Sequence, residues 1–342
     1  MRKVKLAKLS SNEEVIETIH SFIDALYLEL SLDPKPGLIT PISQNRHKDM
    51  DYFIMFETIP LIRKYLYGVM NICDEIFYYQ TEETVEFSEK KISQDFLLKY
   101  FFNNLKDEIE RILHFGLIVE KQMFTKTKGI NTYKGIIFTY TVLFISMYIF
   151  LEIYEYRILE DSENGYNLRR YSFIKIYSYI VQKVGEILVD YKIKVNNLPK
   201  STYGAITYEK YKYRGVVDEA KKGYPIIFKA MNYFLNLKNK ANIESFIYNP
   251  ELFTEKKVIL LKVFLFICSS LKDTNILGKK GEETLLEYQK LCSDAMKRKN
   301  HENFFLSLKQ INEFCLKNDI SSGGTADLFS SVIALLKIFN LF

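Results

Sequence analysis

The 342-residue chain contains only 14 Gly and 7 Pro, about half the share of turn-forming residues in an average protein. A β-sandwich, a β-barrel or an α/β sheet with many crossovers needs a Gly- or Pro-rich turn about every 8 to 12 residues, so these folds are excluded. Hydrophobic residues at 48% and charged residues at 26% exclude a disordered chain. The net charge of +5 is spread along the sequence, so we expect no nucleic-acid partner.

Apolar residues recur with helical spacing along most of the chain, which predicts an all-α fold. In the first helix, Val15, Ile19, Phe22 and Leu26 share one face. The predicted helices are 12–30, 49–78, 94–119, 134–159, 170–193, 224–237, 255–271, 281–298 and 326–341. The segments 80–93 and 160–167 are predicted surface loops. Because no repeat, linker or shift in composition marks a boundary, we predict one large domain over residues 1–342.

The segment 135–151 is uncharged but contains several Thr, Ser and Tyr residues, and it is shorter than the roughly 20 residues that a membrane span needs. We therefore predict a buried central helix and no membrane association. The four cysteines are far apart and form no C-x-x-C pair, which indicates buried free thiols in a reducing compartment. The basic start leads into an acidic helix and shows no secretory signal. These features predict a cytoplasmic protein.

Polar and Gly-rich clusters lie in the connections between the predicted helices, where binding sites are usually built. The first cluster joins Glu29 to the loop 33–38 and then to 47–51. Lys35 offers a mobile cation that suits a phosphate group. Asp49 falls in the first turn of a helix, where a capping role explains it equally simply.

Four further clusters follow along the chain. Residues 129–135, GINTYKG, begin the central helix, where free backbone N–H groups and Lys134 can bind an anion; an ordinary turn is the alternative. The segments 202–225 and 273–277, taken singly, are typical of surface loops. Residues 321–328, SSGGTADL, can wrap backbone amides around phosphate oxygens, with Asp327 holding a bridging divalent cation; a capped helix is the alternative.

In this order, the clusters resemble the triphosphoribosyl-dephospho-CoA synthase family. The family blocks read approximately E-V-x-x-x-P-K-P-G-L-V, N-S-G-x-H-x-D-M-D, G-x-N-T-H-K-G, T-x-G-x-x-x-Y-x-x-Y-G-x-x-G-x-R-G-E-A-x-x-G-F-P, D-T-N-x-L-H-R-G-G and S-P-G-G-S-A-D-L-L. Their counterparts here are ELSLDPKPGLI, SQNRHKDMD, GINTYKG, TYGAITYEKYKYRGVVDEAKKGYP, DTNILGKKG and SSGGTADLF. The resemblance covers residues 29–329.

This resemblance implies a transferase that joins ATP to 3′-dephospho-CoA and releases adenine. The implied product, 2′-(5″-triphosphoribosyl)-3′-dephospho-CoA, is the prosthetic-group precursor for the acyl carrier protein of citrate lyase or malonate decarboxylase. A holo-acyl carrier protein synthase is the implied downstream partner. When the N-glycosidic bond breaks, positive charge develops at the anomeric carbon, and a nearby carboxylate can stabilise it. A base takes the proton from the attacking hydroxyl. The triphosphate requires Mg²⁺ and Lys or backbone donors.

The resemblance also implies three groups of site residues. The catalytic candidates are His47, Asp49, Glu219 and Asp327. The candidates for binding ATP are Lys35, Asn131, Thr132, Lys134, Asn275, Gly323, Gly324 and Thr325. The candidates for binding Mg²⁺ are Asp49, Asp273 and Asp327. The sequence does not decide which carboxylate is the base and which binds the metal.

Several positions depart from the family blocks. Tyr133 replaces a His, Val217 and Asp218 replace Arg-Gly, and Gly278 replaces a second His. The lost arginine removes bidentate recognition of phosphate or carboxylate, which Arg214 restores only in part. Two alternatives therefore stand beside the family reaction: a related enzyme that uses ATP to ribosylate a different acceptor with release of adenine, and a nucleotide-binding module without catalysis.

Overall fold

The computed structural model describes residues 12–45, 49–78, 94–160, 166–194, 203–241, 243 and 253–342. Within these ranges the chain forms α-helices and no β-strand, apart from an isolated bridge between Thr40 and Ser43. The all-α prediction is confirmed. The predicted loop 80–93 lies outside the described residues, as do residues 161–165 of the second predicted loop. The remaining residues of that second loop are helical, because α4 extends to Glu160 and α5 begins at Tyr166.

Twelve helices follow one another along the described chain. The first five are α1 (Asn12–Ser31), α2 (Tyr52–Tyr78), α3 (Gln94–Lys126), α4 (Lys134–Glu160) and α5 (Tyr166–Lys194). The next four are α6 (Tyr203–Tyr211), α7 (Val216–Lys221), α8 (Pro225–Lys240) and α9 (Phe253–Ser270). The last three are α10 (Thr274–Met296), α11 (His301–Asn318) and α12 (Gly323–Ile338).

The sequence prediction lacked three of these helices and gave several others different ends; α3, for example, continues to Lys126, seven residues beyond its predicted end. The helices α6 and α7 lie in the polar segment 202–225, which was predicted as a loop because a helix as short as α7 buries only Val217 and Ala220. The prediction also omitted α11, although Phe304 and Leu308 are buried on one of its faces. The helix α10 begins seven residues earlier than predicted and bends at Gly281, whose φ of +86° is not helical.

The helix α4 lies at the centre of the fold, where it contacts α1, α2, α3, α5, α7 and α12. Its stretch Lys134–Ile153 is long and apolar enough to cross a membrane by length and composition, but 94% of that stretch is buried inside the protein. The predicted buried central helix is therefore confirmed. The four cysteines are buried free thiols, as predicted. Around this core, the starts of several helices are brought to one place.

Candidate functional site

A cleft forms where the first turns of α7, α10 and α12 meet. Its polar lining residues are Tyr213, Glu219, Lys272, Asp273, Thr274 and Asp327. The cleft is partly open to solvent. Four of the residues predicted from separate clusters, Glu219, Asp273, Gly324 and Asp327, line this one cleft. The structure therefore brings together the third, fourth and fifth sequence clusters.

Asp273 joins two of these helix starts. Its side chain accepts hydrogen bonds from the backbone N–H of Asn275 at 2.9 Å and from that of Thr325 at 3.1 Å, so it caps both α10 and α12. The residue is only 3% exposed. Burial raises the pKa of Asp273, and these backbone N–H groups oppose the shift. Asp273 therefore fixes the relative position of two walls of the cleft.

Asp327 lies in the second turn of α12 and is half-buried. Within the described part of the chain, its carboxylate accepts no hydrogen bond. Burial raises the pKa of Asp327 well above its ordinary value, and the negative charges of Asp273 and Glu29 raise it further. This carboxylate also lies against the first turn of α4, because a Cβ atom at Gly135 would overlap its Oδ2 atom. Asp327 is thus available to a ligand.

Glu219 reaches the cleft from the short helix α7. The hydroxyl of Tyr213 donates a hydrogen bond of 3.1 Å to its Oε1 atom. Burial raises the pKa of Glu219, and the bond from Tyr213 opposes this shift. Gly215, with φ of +63°, begins α7 directly against Thr274, where any side chain would collide. This close approach places Glu219 opposite the starts of α10 and α12.

Lys35 occupies a different environment from the one predicted for a phosphate ligand. It is 2% exposed, and its ammonium group binds both the carboxylate and the backbone carbonyl oxygen of Glu29. Burial lowers the pKa of Lys35, and the negative charge of Glu29 opposes this shift. The position supports a structural role at the end of α1 and gives no support to direct binding of phosphate.

The predicted ATP-binding residues of the second cluster, at the start of α4, make contacts only with their immediate surroundings. The ammonium group of Lys134 forms an ion pair with Glu120 of α3. The Oδ1 atom of Asn131 accepts a hydrogen bond of 3.1 Å from the backbone N–H of Lys134, so Asn131 caps the helix. The hydroxyl of Thr132 is buried and has no hydrogen-bond partner in the described structure. None of these three side chains lines the cleft.

The predicted metal ligands are only partly brought together. Asp273 and Asp327 both line the cleft, whereas Asp49 is exposed and no described contact joins it to them. His47 lies outside the described residues. Among the residues that the structure describes, no group of three or more His, Cys, Asp or Glu side chains could hold a metal ion. Mg²⁺ in nucleotide sites often takes only one or two carboxylates beside the phosphates, a number that the cleft supplies.

The departures from the family blocks have local explanations in the structure. Tyr133 is 3% exposed, and its hydroxyl has no partner among the described residues. Val217 is buried in the core. The Oδ2 atom of Asp218 accepts a hydrogen bond of 2.7 Å from the backbone N–H of Arg214 and stabilises the turn before α7. Gly278 lies within α10. The carboxylate of Asp218 therefore accepts a hydrogen bond within the turn before α7.

Sequence reasoning missed three polar residues of the cleft. Tyr213, Lys272 and Thr274 line it, yet none was predicted as a site residue. Each of them lies within or beside a matched block, so position next to a block was the signal that could have identified them. The approach of Gly323 to Asn275 Nδ2, 3.1 Å from where a Cβ atom would lie, adds another pair of predicted residues at this place.

Comparison with known proteins identifies the family of the chain. The chain matches the family described as CitG, ATP:dephospho-CoA triphosphoribosyl transferase, over residues 17–341. The chain belongs to this family. This places it among transferases, and it confirms the family that the sequence blocks indicated. No solved structure matches the chain.

The known relatives of the chain are distant in sequence. Protein CitXG of Leuconostoc mesenteroides subsp. cremoris is 23% identical over 94% of this chain, and protein CitXG of Haemophilus influenzae is 25% identical over 97%. The chain spans only 59% and 62% of the length of these two relatives. A probable 2-(5″-triphosphoribosyl)-3′-dephosphocoenzyme-A synthase of Streptococcus mutans is 24% identical over 94% of this chain and 96% of its own length.

The close approach of α4 to Asp327 leads to a testable prediction. Replacing Gly by Ala within a helix normally stabilises a protein by about 0.5–1 kcal/mol. Here the new methyl group would overlap Asp327 Oδ2, so we expect Gly135→Ala to lower the free energy of unfolding. In an Asp327→Ala background the obstacle is absent, and the same substitution should stabilise. Denaturant unfolding of the four proteins measures this cycle; the same sign in both backgrounds would show that the carboxylate does not lie against α4.

Proposed function

We propose that this transferase joins ATP to 3′-dephospho-CoA in the cleft, releasing adenine and forming 2′-(5″-triphosphoribosyl)-3′-dephospho-CoA. The observation that carries the proposal is that Glu219, Asp273 and Asp327, which come from three separate family blocks, line one cleft. The family described for residues 17–341 names the same two substrates. The name of the Streptococcus mutans relative, a probable 2-(5″-triphosphoribosyl)-3′-dephosphocoenzyme-A synthase, supports the same reaction.

The reaction exchanges one bond at the anomeric carbon of ATP. The bond between C1′ and N9 breaks, and its electron pair leaves with adenine. The 2′-hydroxyl oxygen of dephospho-CoA bonds to C1′, and the proton of that hydroxyl balances the one that adenine gains. Positive charge develops at C1′ in such a step. In our proposal Asp327 stabilises this charge, and Glu219 takes the proton from the attacking hydroxyl.

The raised pKa of Glu219 suits a general base, because a base is most effective when its pKa approaches the working pH. Tyr213 holds its carboxylate in place. The start of α12 reaches the cleft at Gly324, and the partially positive N–H groups of a helix start favour a bound anion. Asp273, beside Asp327 in the cleft, would hold Mg²⁺ together with the phosphates of the substrate, and Asp327 would remain free to face the anomeric carbon. When bound, this ion neutralises much of the triphosphate charge.

The product chemistry defines the proposed role in the cell. A triphosphoribosyl group on dephospho-CoA is a precursor that must be transferred to a carrier protein before it can act as a prosthetic group. We therefore place the protein in the cytoplasm, upstream of a holo-acyl carrier protein synthase that serves citrate lyase or malonate decarboxylase. Family membership supports this role.

An assay for free adenine tests the proposal. Purified protein is incubated with ATP, Mg²⁺ and dephospho-CoA, and adenine is measured by chromatography. We expect adenine only when both ATP and dephospho-CoA are present. Adenine that appears only with another alcohol acceptor would identify a related ribosyltransferase. ATP binding without adenine under any condition would instead indicate a non-catalytic nucleotide-binding module.

The hydrogen bond between Tyr213 and Glu219 predicts a shift in the pH dependence of the reaction. Burial raises the pKa of Glu219 and the Tyr213 hydroxyl lowers it, so Tyr213→Phe should raise it further. Because the base acts when ionised, activity is lost as pH falls through this pKa. We therefore expect the acidic limb of kcat/KM to lie above the range of an ordinary glutamate and to move to higher pH in Tyr213→Phe.

A matched control is Tyr233→Phe on α8, where the ring stacks on Phe266 and does not line the cleft. Its acidic limb should coincide with that of the wild type. An acidic limb that stays in place in Tyr213→Phe would exclude Glu219 as the base.

The raised pKa of Glu219 also predicts that the contribution of this residue to stability is largest at low pH and decreases as pH rises through the folded-state pKa.

A further inference from the structure

The triphosphate of ATP carries about four negative charges and needs positive partners in the cleft. The two lysines that the family blocks suggest for this purpose are already engaged. Lys35 is buried in its ion pair with Glu29, and Lys134 is paired with Glu120. The lining of the cleft itself contains three carboxylates, Glu219, Asp273 and Asp327. A triphosphate therefore requires cations that the matched blocks do not identify.

One exposed lysine lines this acidic cleft, and two more lie near its lining residues. Lys272 lines it directly, between Leu271 and Asp273. The ammonium group of Lys222 lies 5.9 Å from the ring centre of Tyr213, another lining residue. Burial raises the pKa of Glu219, and the charges of Lys222 and Lys229 oppose that shift, so both lysines are close enough to act on the same carboxylate.

These lysines are also free to bind an external anion. Among the described residues, Lys222, Lys229 and Lys272 form no ion pair with any carboxylate, unlike Lys35 and Lys134. All three side chains are exposed. A lysine ammonium is a compact charge on a flexible stem and commonly binds phosphate groups. We name Lys222, Lys229 and Lys272 the basic rim.

We propose that the basic rim binds the triphosphate of the nucleotide, with Lys272 as its principal contact. The assignment deepens the proposed function and rests on it for the identity of the ligand. It replaces Lys35 and Lys134 as the cations of the phosphate subsite. Lys272 is thereby a binding and specificity-determining residue beside the carboxylates.

The charge arrangement also determines the orientation of the nucleotide. With the triphosphate on the basic rim, the ribose enters the cleft and its anomeric carbon faces Asp327 and Glu219. The reverse orientation would place the polyanion against these carboxylates, which like-charge repulsion disfavours. Lysines around a cleft with low-dielectric walls also raise the local concentration of an anionic substrate.

Binding measurements with inorganic tripolyphosphate and with adenosine test the assignment. Lys272→Gln should weaken tripolyphosphate binding about tenfold, as expected for the loss of one hydrogen bond to a charged group. Adenosine, which has no phosphate, should bind to Lys272→Gln with the same affinity as to the wild type. The variant Lys222→Gln/Lys229→Gln should also bind tripolyphosphate more weakly. Lys272→Arg should retain most of the affinity, since it keeps the charge.

The control is Lys309→Gln on α11, an exposed lysine that does not line the cleft; we expect wild-type affinity for both probes. Equal tripolyphosphate affinity of Lys272→Gln and the wild type would overturn the assignment. So would an equal loss of adenosine binding, or a wild type that binds no tripolyphosphate. The wild type could also bind tripolyphosphate through Lys272 and yet release no adenine. That result would support the assignment of the basic rim and refute the proposed reaction, so a failure of one is distinguishable from a failure of the other.

Discussion

Asp327→Asn is expected to slow adenine release by about 10²- to 10⁴-fold, the range observed when a charged catalytic group is removed. Asp327 is the cleft carboxylate that accepts no hydrogen bond within the described structure, and it lies in the second turn of α12 against the start of α4. In our account it stabilises positive charge at the anomeric carbon. An amide of the same shape has no negative charge and cannot do this.

Stability should respond to Asp327→Asn in the opposite direction from activity. Burial raises the pKa of Asp327, so its ionised form costs free energy in the folded state near neutral pH. Removing that charge should leave the free energy of unfolding unchanged or increase it. The control Glu313→Gln, at an exposed position of α11, should keep full activity. Near-normal adenine release by Asp327→Asn would remove Asp327 from the mechanism.

Lys35→Met is expected to lower the free energy of unfolding by about 3–5 kcal/mol, the cost of breaking a buried ion pair from one side. The substitution leaves the Glu29 carboxylate buried without its cation. Glu29→Leu combined with Lys35→Met removes both charges. Because buried pairs replaced by apolar residues are often neutral in stability, the double variant should recover most of the loss.

These two variants distinguish a structural Lys35 from a phosphate ligand. Thermal or denaturant unfolding gives the stability of each protein, and tripolyphosphate binding gives its affinity. Our account predicts a large loss of stability in Lys35→Met and near-normal affinity in the folded double variant. If Lys35→Met were as stable as the wild type and lost tripolyphosphate binding, Lys35 would be the phosphate ligand that the family block suggested.

Periodicity alone predicted most of the helices. The central helix α4 was recognised because its apolar stretch is uninterrupted, and α1 because its apolar residues share one face. The helices α6 and α7 could not be predicted in this way, since each is too short to show a repeating apolar face. The start of α10 was missed because Asp273-Thr274-Asn275 has the composition of a loop, although Asp273 in fact caps the helix.

The sequence predicted which residues belong to the site, but it did not predict how they are arranged in space. Glu219, Asp273 and Asp327 were recognised from separate blocks, but only tertiary packing of α7 against α10 and α12 shows that they meet. The same packing shows that Lys35 faces Glu29 inside the core, which no local pattern reveals. Lys272 was missed for the opposite reason, because an exposed lysine beside a block resembles any other surface lysine.

We propose that this cleft breaks the glycosidic bond of ATP and leaves its phosphate chain intact. The most direct test measures, in one reaction with dephospho-CoA, the adenine released and the mass of the nucleotide product. We predict one adenine for each dephospho-CoA consumed, a product that retains all three phosphates, and no ADP, AMP or pyrophosphate. Release of ADP, AMP or pyrophosphate in place of adenine would show that the protein breaks a different bond of ATP and would exclude the proposed reaction.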